Sequence, residues 1–239
     1  MTPRGKTLIL AGMGFWSLFP TDRLLAEGSL WSADYTNFGD EIRRLDPFID
    51  MYHVDVSDAH FVPGLLFFPA LVAGLRPLTE RPFHAHLMTE DPLPLIDEFA
   101  DAGADMITVH CENGHRVPAA FQRIRDRGIA AGLGLGLDSP LESAAPWLEQ
   151  VDLVLLMGTP MGVKGCDLSP DSFDRIRRLK AILADRGASG RVKIESDGGI
   201  RAHTVPGLRA AGADIVVMGS LAFRSADLDE TFGWIRSLG

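Results

Sequence analysis

From Leu24 onward, short apolar runs alternate with amphipathic stretches, and no Ser-, Pro- or Gly-rich linker separates them. The runs cover residues 50–56, 83–88, 106–111, 129–137, 151–157, 192–196 and 215–218, with a weaker first one over 24–31. They are rich in Val, Ile and Leu and bounded by Gly, Pro and Asp, as strands covered on both faces are. Between them the pattern predicts helices over 38–45, 66–75, 92–102, 117–127, 141–149, 170–186, 203–211 and 228–238, with Asn37, Ser139 and Ser169 as capping residues. Eight strand–helix units in a chain of 239 residues predict one α/β domain, a (β/α)8 TIM barrel. A doubly wound open sheet competes, but eight units suit closure better. An internal echo supports the barrel: Ala102-Gly103-Ala104-Asp105 recurs as Ala211-Gly212-Ala213-Asp214, four units later. Two related half-barrels would explain it, each Gly ending a helix before a new strand. The barrel is assigned to residues 24–239, and residues 1–23 to an N-terminal extension of unknown role.

Charge and cysteine usage bound the surroundings. A net charge of -9 argues against nucleic acid or an anionic membrane as partner, since both require clustered Lys and Arg. Cys111 and Cys166 have no CxxC spacing, which fits a reducing compartment, so the cytoplasm is expected. The apolar stretch over 7–19 is too short to span a bilayer, and no small-residue cleavage site follows it.

Active sites of such barrels lie where strands end and the following loops begin. The second predicted strand ends in His53-Val54-Asp55, the third in His84-Ala85-His86, the fourth in His110 and the seventh in Glu195-Ser196-Asp197. Alternate strand residues share a face, so imidazoles and carboxylates from three strands converge if that face is the barrel interior. His53, Asp55, His86 and Asp197 then form a His2Asp2 set for one divalent cation, and such a mixed set suits Zn, Mn, Fe or Co better than Ca or Mg. A single buried His is more often a hydrogen-bonded core residue, but several acids and imidazoles at aligned strand ends need a metal or mutual pairing to offset desolvation. His84 and Glu195 precede proposed ligands by two positions; they are expected one layer down, orienting the shell or hydrogen-bonding one another.

Glycines supply a second constellation. Gly198-Gly199 follows the seventh predicted strand and Gly219-Ser220 the eighth, where many of these barrels bind phosphate. A third glycine loop, residues 158–165, could close over the ligand. A cation beside a phosphate site, with Asp55 and Asp197 approaching from different strands, suggests base on one face and acid on the other. Taking a proton from one side and returning it on the other inverts a carbon, which is epimerisation.

The segments Gly28-Ser29-Leu30, HVDVSDAHFVP at 53–63, HLM at 86–88, TVHCE at 108–112, DLVLLM at 152–157, ESDGGI at 195–200 and VVMGS at 216–220, with both AGAD repeats, make the chain resemble the ribulose-phosphate 3-epimerase family. The resemblance runs from about residue 28 to 224. It implies a metal-dependent, phosphate-binding barrel that inverts C3 of a ketose phosphate. It also implies His53, Asp55, His86 and Asp197 as metal ligands, with Asp55 and Asp197 as the acid/base pair. Ser29, Met88, Met157, Gly162 and Gly165 would contact substrate, while Gly198, Gly199, Gly219 and Ser220 would bind phosphate. The expected partners are a small-molecule sugar phosphate and further copies of the chain in a homo-oligomer, with neither nucleic acid nor membrane. Ribulose 5-phosphate is the first substrate choice, followed by allulose 6-phosphate or a tetrulose phosphate.

Two departures bear on substrate. Ser57-Asp58-Ala59 stands where the family usually has Met-Asp-Gly, and Gly162-Val163-Lys164-Gly165-Cys166 where it has Gly-Phe-Gly-Gly-Gln. Lys164 could pair with phosphate, pair with another polar group of a different substrate, or face solvent. An orotidine-phosphate-type decarboxylase would need Asp-x-Lys-x-x-Asp, and the lysine is missing from Asp55-Val56-Ser57-Asp58. A non-catalytic sugar-phosphate sensor is the remaining alternative, disfavoured by the presence of both carboxylates.

Overall fold

The computed structural model describes residues 14–239, so residues 1–13 of the N-terminal extension, with part of its apolar stretch, lie outside the described residues. Eight strands close in chain order into a parallel barrel: β1 Leu25–Ser29, β2 Met51–Ser57, β3 Phe83–Met88, β4 Met106–His110, β5 Ala130–Leu135, β6 Leu153–Met157, β7 Lys193–Asp197 and β8 Ile215–Met218. The last pairs with the first, Ala26 opposite Val216, which excludes the open sheet. Around the barrel lie α1 Phe38–Leu45, α2 Pro69–Leu75, α3 Leu93–Ala102, α4 Val117–Asp126, α5 Ser172–Asp185, α6 Val205–Ala211, α7 Ser220–Phe223 and α8 Leu228–Ser237. Among the described residues, no helix is long and apolar enough to cross a membrane.

Some local expectations are corrected. The segment read as a helix over 141–149 is a 3-10 turn, Leu141–Trp147, with Pro146 inside it; proline removes an amide donor and clashes with the preceding turn. Ser139 and Ser169 are not N-caps, since Pro140 and Asp171 occupy those positions, and Ser139 instead donates its hydroxyl to the Glu112 carboxylate. Asn37 does precede α1 but makes no side-chain cap bond. The two AGAD glycines behave as expected: Gly103 ends α3 at φ +102° and Gly212 ends α6 at φ +119°, in the left-handed region that favours glycine.

Strand parity divides the core in two. Outward residues such as Tyr52, Val54, Ala85, Leu133 and Val216 pack against the helices. Inward residues at the strand starts, Leu25, Met51, Met106, Ala130, Leu153 and Ile215, form a separate cluster that includes Phe15. Above it, toward the C-terminal ends, the interior is polar: Glu27, His53, His84, Thr108 and Glu195, then Ser29, Asp55, His86, His110 and Asp197, nearly all buried. Barrel interiors are normally filled by bulky apolar side chains, so these polar layers require specific pairing.

Phe15 gives the described end of the extension a packing role. It belongs to a 3-10 turn, Phe15–Leu18, and is buried among the strand-start side chains, while Trp16 Nε1 donates to the Asp152 carbonyl at 2.8 Å. Phe15→Ala is therefore expected to cost about 3–5 kcal/mol of stability, read from the denaturant midpoint. A loss below about 1 kcal/mol would mean that the surroundings collapse into the space or that the turn contributes little.

Candidate active site

Parity sets the site. His53 and Asp55 share the inner face of β2, and the β2–β3 register puts His53 opposite His84 and Asp55 opposite His86. Four atoms face one another at the upper layer: His53 Nε2, Asp55 Oδ1, His86 Nδ1 and Asp197 Oδ2. His53 Nε2 lies 3.2 Å from His86 Nδ1, 3.5 Å from Asp55 Oδ1 and 3.8 Å from Asp197 Oδ2. His86 Nδ1 is 3.7 Å from Asp55 Oδ1 and 3.6 Å from Asp197 Oδ2.

This donor set fits a divalent cation. Two buried ring nitrogens face each other with two carboxylate oxygens beside them, and each imidazole is held from behind by its other nitrogen. His53 Nδ1 lies 3.0 Å from Glu27 Oε2, and His86 Nε2 lies 2.7 Å from His110 Nε2. With Nδ1 of His86 bare toward the cation, its Nε2–H donates to His110, whose Nδ1 reaches Glu112 Oε2 at 3.1 Å. Glu112 is anchored in turn by the Gly136 N–H, at 2.7 Å. Such supports fix tautomer and ring direction.

The layer beneath shares His53. Glu27, His53, His84 and Glu195 have ligand atoms within 4.8 Å of one another. His84 Nδ1 lies 3.0 Å from Glu27 Oε2, and its Nε2 lies 2.7 Å from Thr108 Oγ1. His84 and Glu195 thus lie one layer down, as expected, but their closest approach is 3.6 Å, and both converge on Glu27. Sequence reasoning missed Glu27, Thr108 and the anchoring role of His110 and Glu112. A lone acid inside an apolar run, Leu24-Leu25-Ala26-Glu27-Gly28, was the available signal for Glu27. A second signal was the alternation Gly132-Leu133-Gly134 in β5: a Cβ at Gly132 would overlap Thr108 Oγ1, and one at Gly134 would sit 2.8 Å from the His110 ring. These glycines make room for the polar side chains of β4.

Burial and neighbours push the two aspartates apart. Burial raises both, but for Asp55 the His53 and His86 imidazoles outweigh it and hold the carboxyl well below its usual range. For Asp197, burial dominates, the Asp55 and Glu27 charges add to it, and the carboxyl rises to about 7 despite the opposing pull of His53. Ser29 Oγ donates to Asp55 Oδ2 at 2.7 Å.

A cavity of about 460 Å³ opens above these groups at the C-terminal ends of the strands. Every residue singled out from the sequence as catalytic, substrate-contacting or phosphate-binding lines it, and only His53 and His86 lie buried beneath. Gly198 and Gly199 have positive φ, +91° and +71°, and a Cβ at Gly199 would come within 2.6 Å of the Leu168 backbone. Their glycine identity is thus demanded by packing against the loop after β6 as well as by any anion. Ser57, in contrast, does not line the cavity: its hydroxyl donates to the Gly64 carbonyl at 2.9 Å. Ala59 holds φ +61°, the one described residue other than glycine with positive φ, although the family usually has glycine there. Ala59→Gly is expected to stabilise the fold by about 0.5–1 kcal/mol, the relief of left-handed strain exceeding the added freedom of the unfolded chain. A lowered denaturant midpoint would show that the alanine is not strained.

Comparison with known proteins follows the same outline. The profile of the "Ribulose-phosphate 3 epimerase family" matches residues 26–223. The ribulose-phosphate 3-epimerase of Bacillus subtilis is 34% identical over 209 residues, covering 87% of this chain and 96% of that protein. Ribulose-phosphate 3-epimerase 1 of Cupriavidus necator is 39% identical over 205 residues, covering 84% and 85%. Among solved structures, KGPDC from Streptococcus mutans superposes with a TM-score of 0.67 at 14% identity, over 90% of this chain and 97% of that one. Orotidine 5'-phosphate decarboxylase from Pyrococcus horikoshii OT3 gives 0.63 at 15%, over 90% and 98%. At such identities these structures show the barrel fold alone.

Proposed function

Because this chain belongs to the ribulose-phosphate 3-epimerase family, we propose that it is an isomerase that interconverts D-ribulose 5-phosphate and D-xylulose 5-phosphate by two-base proton transfer at C3. The observation that carries the reading is the pair Asp55 and Asp197. They come from β2 and β7, line one cavity, and are held in opposite protonation preferences. Two carboxyls pushed apart in this way suit a base and an acid at neutral pH.

His53, Asp55, His86 and Asp197 would hold one divalent cation, of the Zn, Mn, Fe or Co type. When bound, it supplies polarisation of the substrate carbonyl and its neighbouring hydroxyl. Asp55, kept ionised by its imidazole neighbours, takes the C3 proton from one face. Asp197, whose surroundings favour the protonated form far more than those of Asp55 do, delivers a proton to the opposite face, and the roles exchange in the reverse direction. The Ser29 hydroxyl orients Asp55. Met88 and Met157 give the cavity an apolar wall beside the carboxylates, which keeps water from competing for the proton. Gly198, Gly199, Gly219 and Ser220 let backbone amides approach the phosphate.

A panel of ketose phosphates, assayed for C3 inversion with Mn, Zn, Fe or Co added, tests the reading. Ribulose 5-phosphate is expected to give the highest kcat/KM. Preferential turnover of allulose 6-phosphate or a tetrulose phosphate would reassign the substrate, and no inversion by folded, metal-loaded protein would leave a non-catalytic binder.

A further inference from the structure

Lys164, Arg201 and Arg224 stand around the mouth of the cavity, on the loops after β6 and β7 and just past α7. Among the described residues, none of the three is within ion-pair distance of a carboxylate, whereas many basic side chains elsewhere are paired, as in Arg23–Asp50, Arg76–Asp105 and Lys193–Asp214. Such a group is unexpected in a chain of net charge -9. Arg201 is partly occupied, since its Nη1 donates to the Ile200 carbonyl at 2.9 Å. Lys164 is exposed, but its Nζ donates to the Trp31 carbonyl at 2.6 Å and lies 5.5 Å from the centre of the Trp31 ring. This contact ties the loop after β6 to the exit of β1, across the cavity. Partial burial disfavours the Lys164 ammonium, and so does the charge of Arg224, against an opposing pull from Asp55; Lys164 and Arg224 are two cations at one cavity. Both face the same cavity as Gly199, Gly219 and Ser220.

We propose that Lys164 and Arg224 form a side-chain clamp for the substrate phosphate dianion, and that this clamp, added to the glycine amides, sets the preference for phosphorylated over unphosphorylated ketoses. The inference rests on the ketose-phosphate reading above. Charge-assisted hydrogen bonds to phosphate are about twice as strong as neutral ones, and a bound dianion turns the Lys164–Arg224 repulsion into two attractions. Because Lys164 also bonds the Trp31 carbonyl, the clamp holds the glycine loop over the bound sugar.

The test uses full-length, metal-loaded protein and its K164Q, R224Q and double variants, each checked for native circular dichroism. Inorganic phosphate is titrated by calorimetry, and steady-state kinetics are run with a ketose phosphate and its unphosphorylated counterpart. Each single substitution is expected to weaken phosphate binding and raise KM by about tenfold, with a smaller effect on kcat, and to narrow the preference for the phosphorylated substrate. Lys164→Arg, which keeps the charge, is expected to stay within about threefold of the parent. A double variant that binds phosphate as tightly as the parent would overturn the clamp. So would a loss confined to kcat with phosphate affinity unchanged, which would make Lys164 a loop-positioning residue only. Failure of the parent to epimerise any ketose phosphate would remove the epimerase reading, while the phosphate titration would still decide the clamp.

Discussion

Asp197→Asn is expected to lower kcat by about 10²- to 10⁴-fold while the barrel remains folded. The substitution preserves shape and one oxygen but removes the only atom pair at that position able to carry and release a proton. The electrostatics predict more than a loss of rate. Asp197 is raised from 3.8 to about 7, first by burial and then by the Asp55 and Glu27 charges, so in metal-free protein its ionised form is disfavoured by folding. The sign follows: this group favours the fold fully below pH 3.8, and that contribution is lost as pH rises through about 7. Metal-free Asp197→Asn should therefore be as stable as the parent or more so at pH 8, and the two melting curves should converge or cross on acidification. Rate and metal content must be measured together. A variant that keeps near-normal kcat would remove Asp197 from proton transfer, and one that loses all metal at saturating concentration would place its role in holding the cation.

Stripping the protein with a chelator is expected to abolish turnover, and returning Zn, Mn, Fe or Co to restore it, because the facing donors are two imidazoles and two carboxylates. Ca and Mg should restore little, since both favour all-oxygen shells. Stability gives a readout independent of substrate. At a cation concentration about 100 times Kd, binding only to the folded state adds about 2.7 kcal/mol, visible as a rise in Tm. Protons compete with the cation for Asp197 below about pH 7, so affinity should fall as the solution is acidified through that value. Full activity in rigorously stripped protein, or equal protection by Ca and Zn, would refute the assignment of the cluster.

Much of this was legible in the sequence because parallel strands carry two separable signals. Burial on both faces makes each strand a continuous apolar run, which located all eight strands. Against that background, polar residues two positions apart, His53 with Asp55, His84 with His86 and Glu195 with Asp197, mark the inner face. Helices 38–45 and 117–126 were equally plain, since amphipathic spacing needs no tertiary context. The segment at 141–147 was not, because its apolar spacing is helical while Pro146 denies it the hydrogen bonds.

Strand order, the closed barrel, the upper layer of His53, Asp55, His86 and Asp197, and the glycine loops at the C-terminal ends of the strands follow from local pattern, since period-two alternation and fixed connection handedness leave few ways to arrange them. Only the tertiary structure brought Glu27 beside His53 and His84, seated Phe15 under the barrel, ran His86 through His110 to Glu112, turned Ser57 away from the cavity, and put Lys164 and Arg224 at one cavity. Each of these depends on how far apart in sequence two groups can be while still meeting in space. Closure of the barrel decides that distance: it makes the first strand neighbour the last and turns loops from separate units toward one cavity, and no local periodicity encodes which side chains then meet.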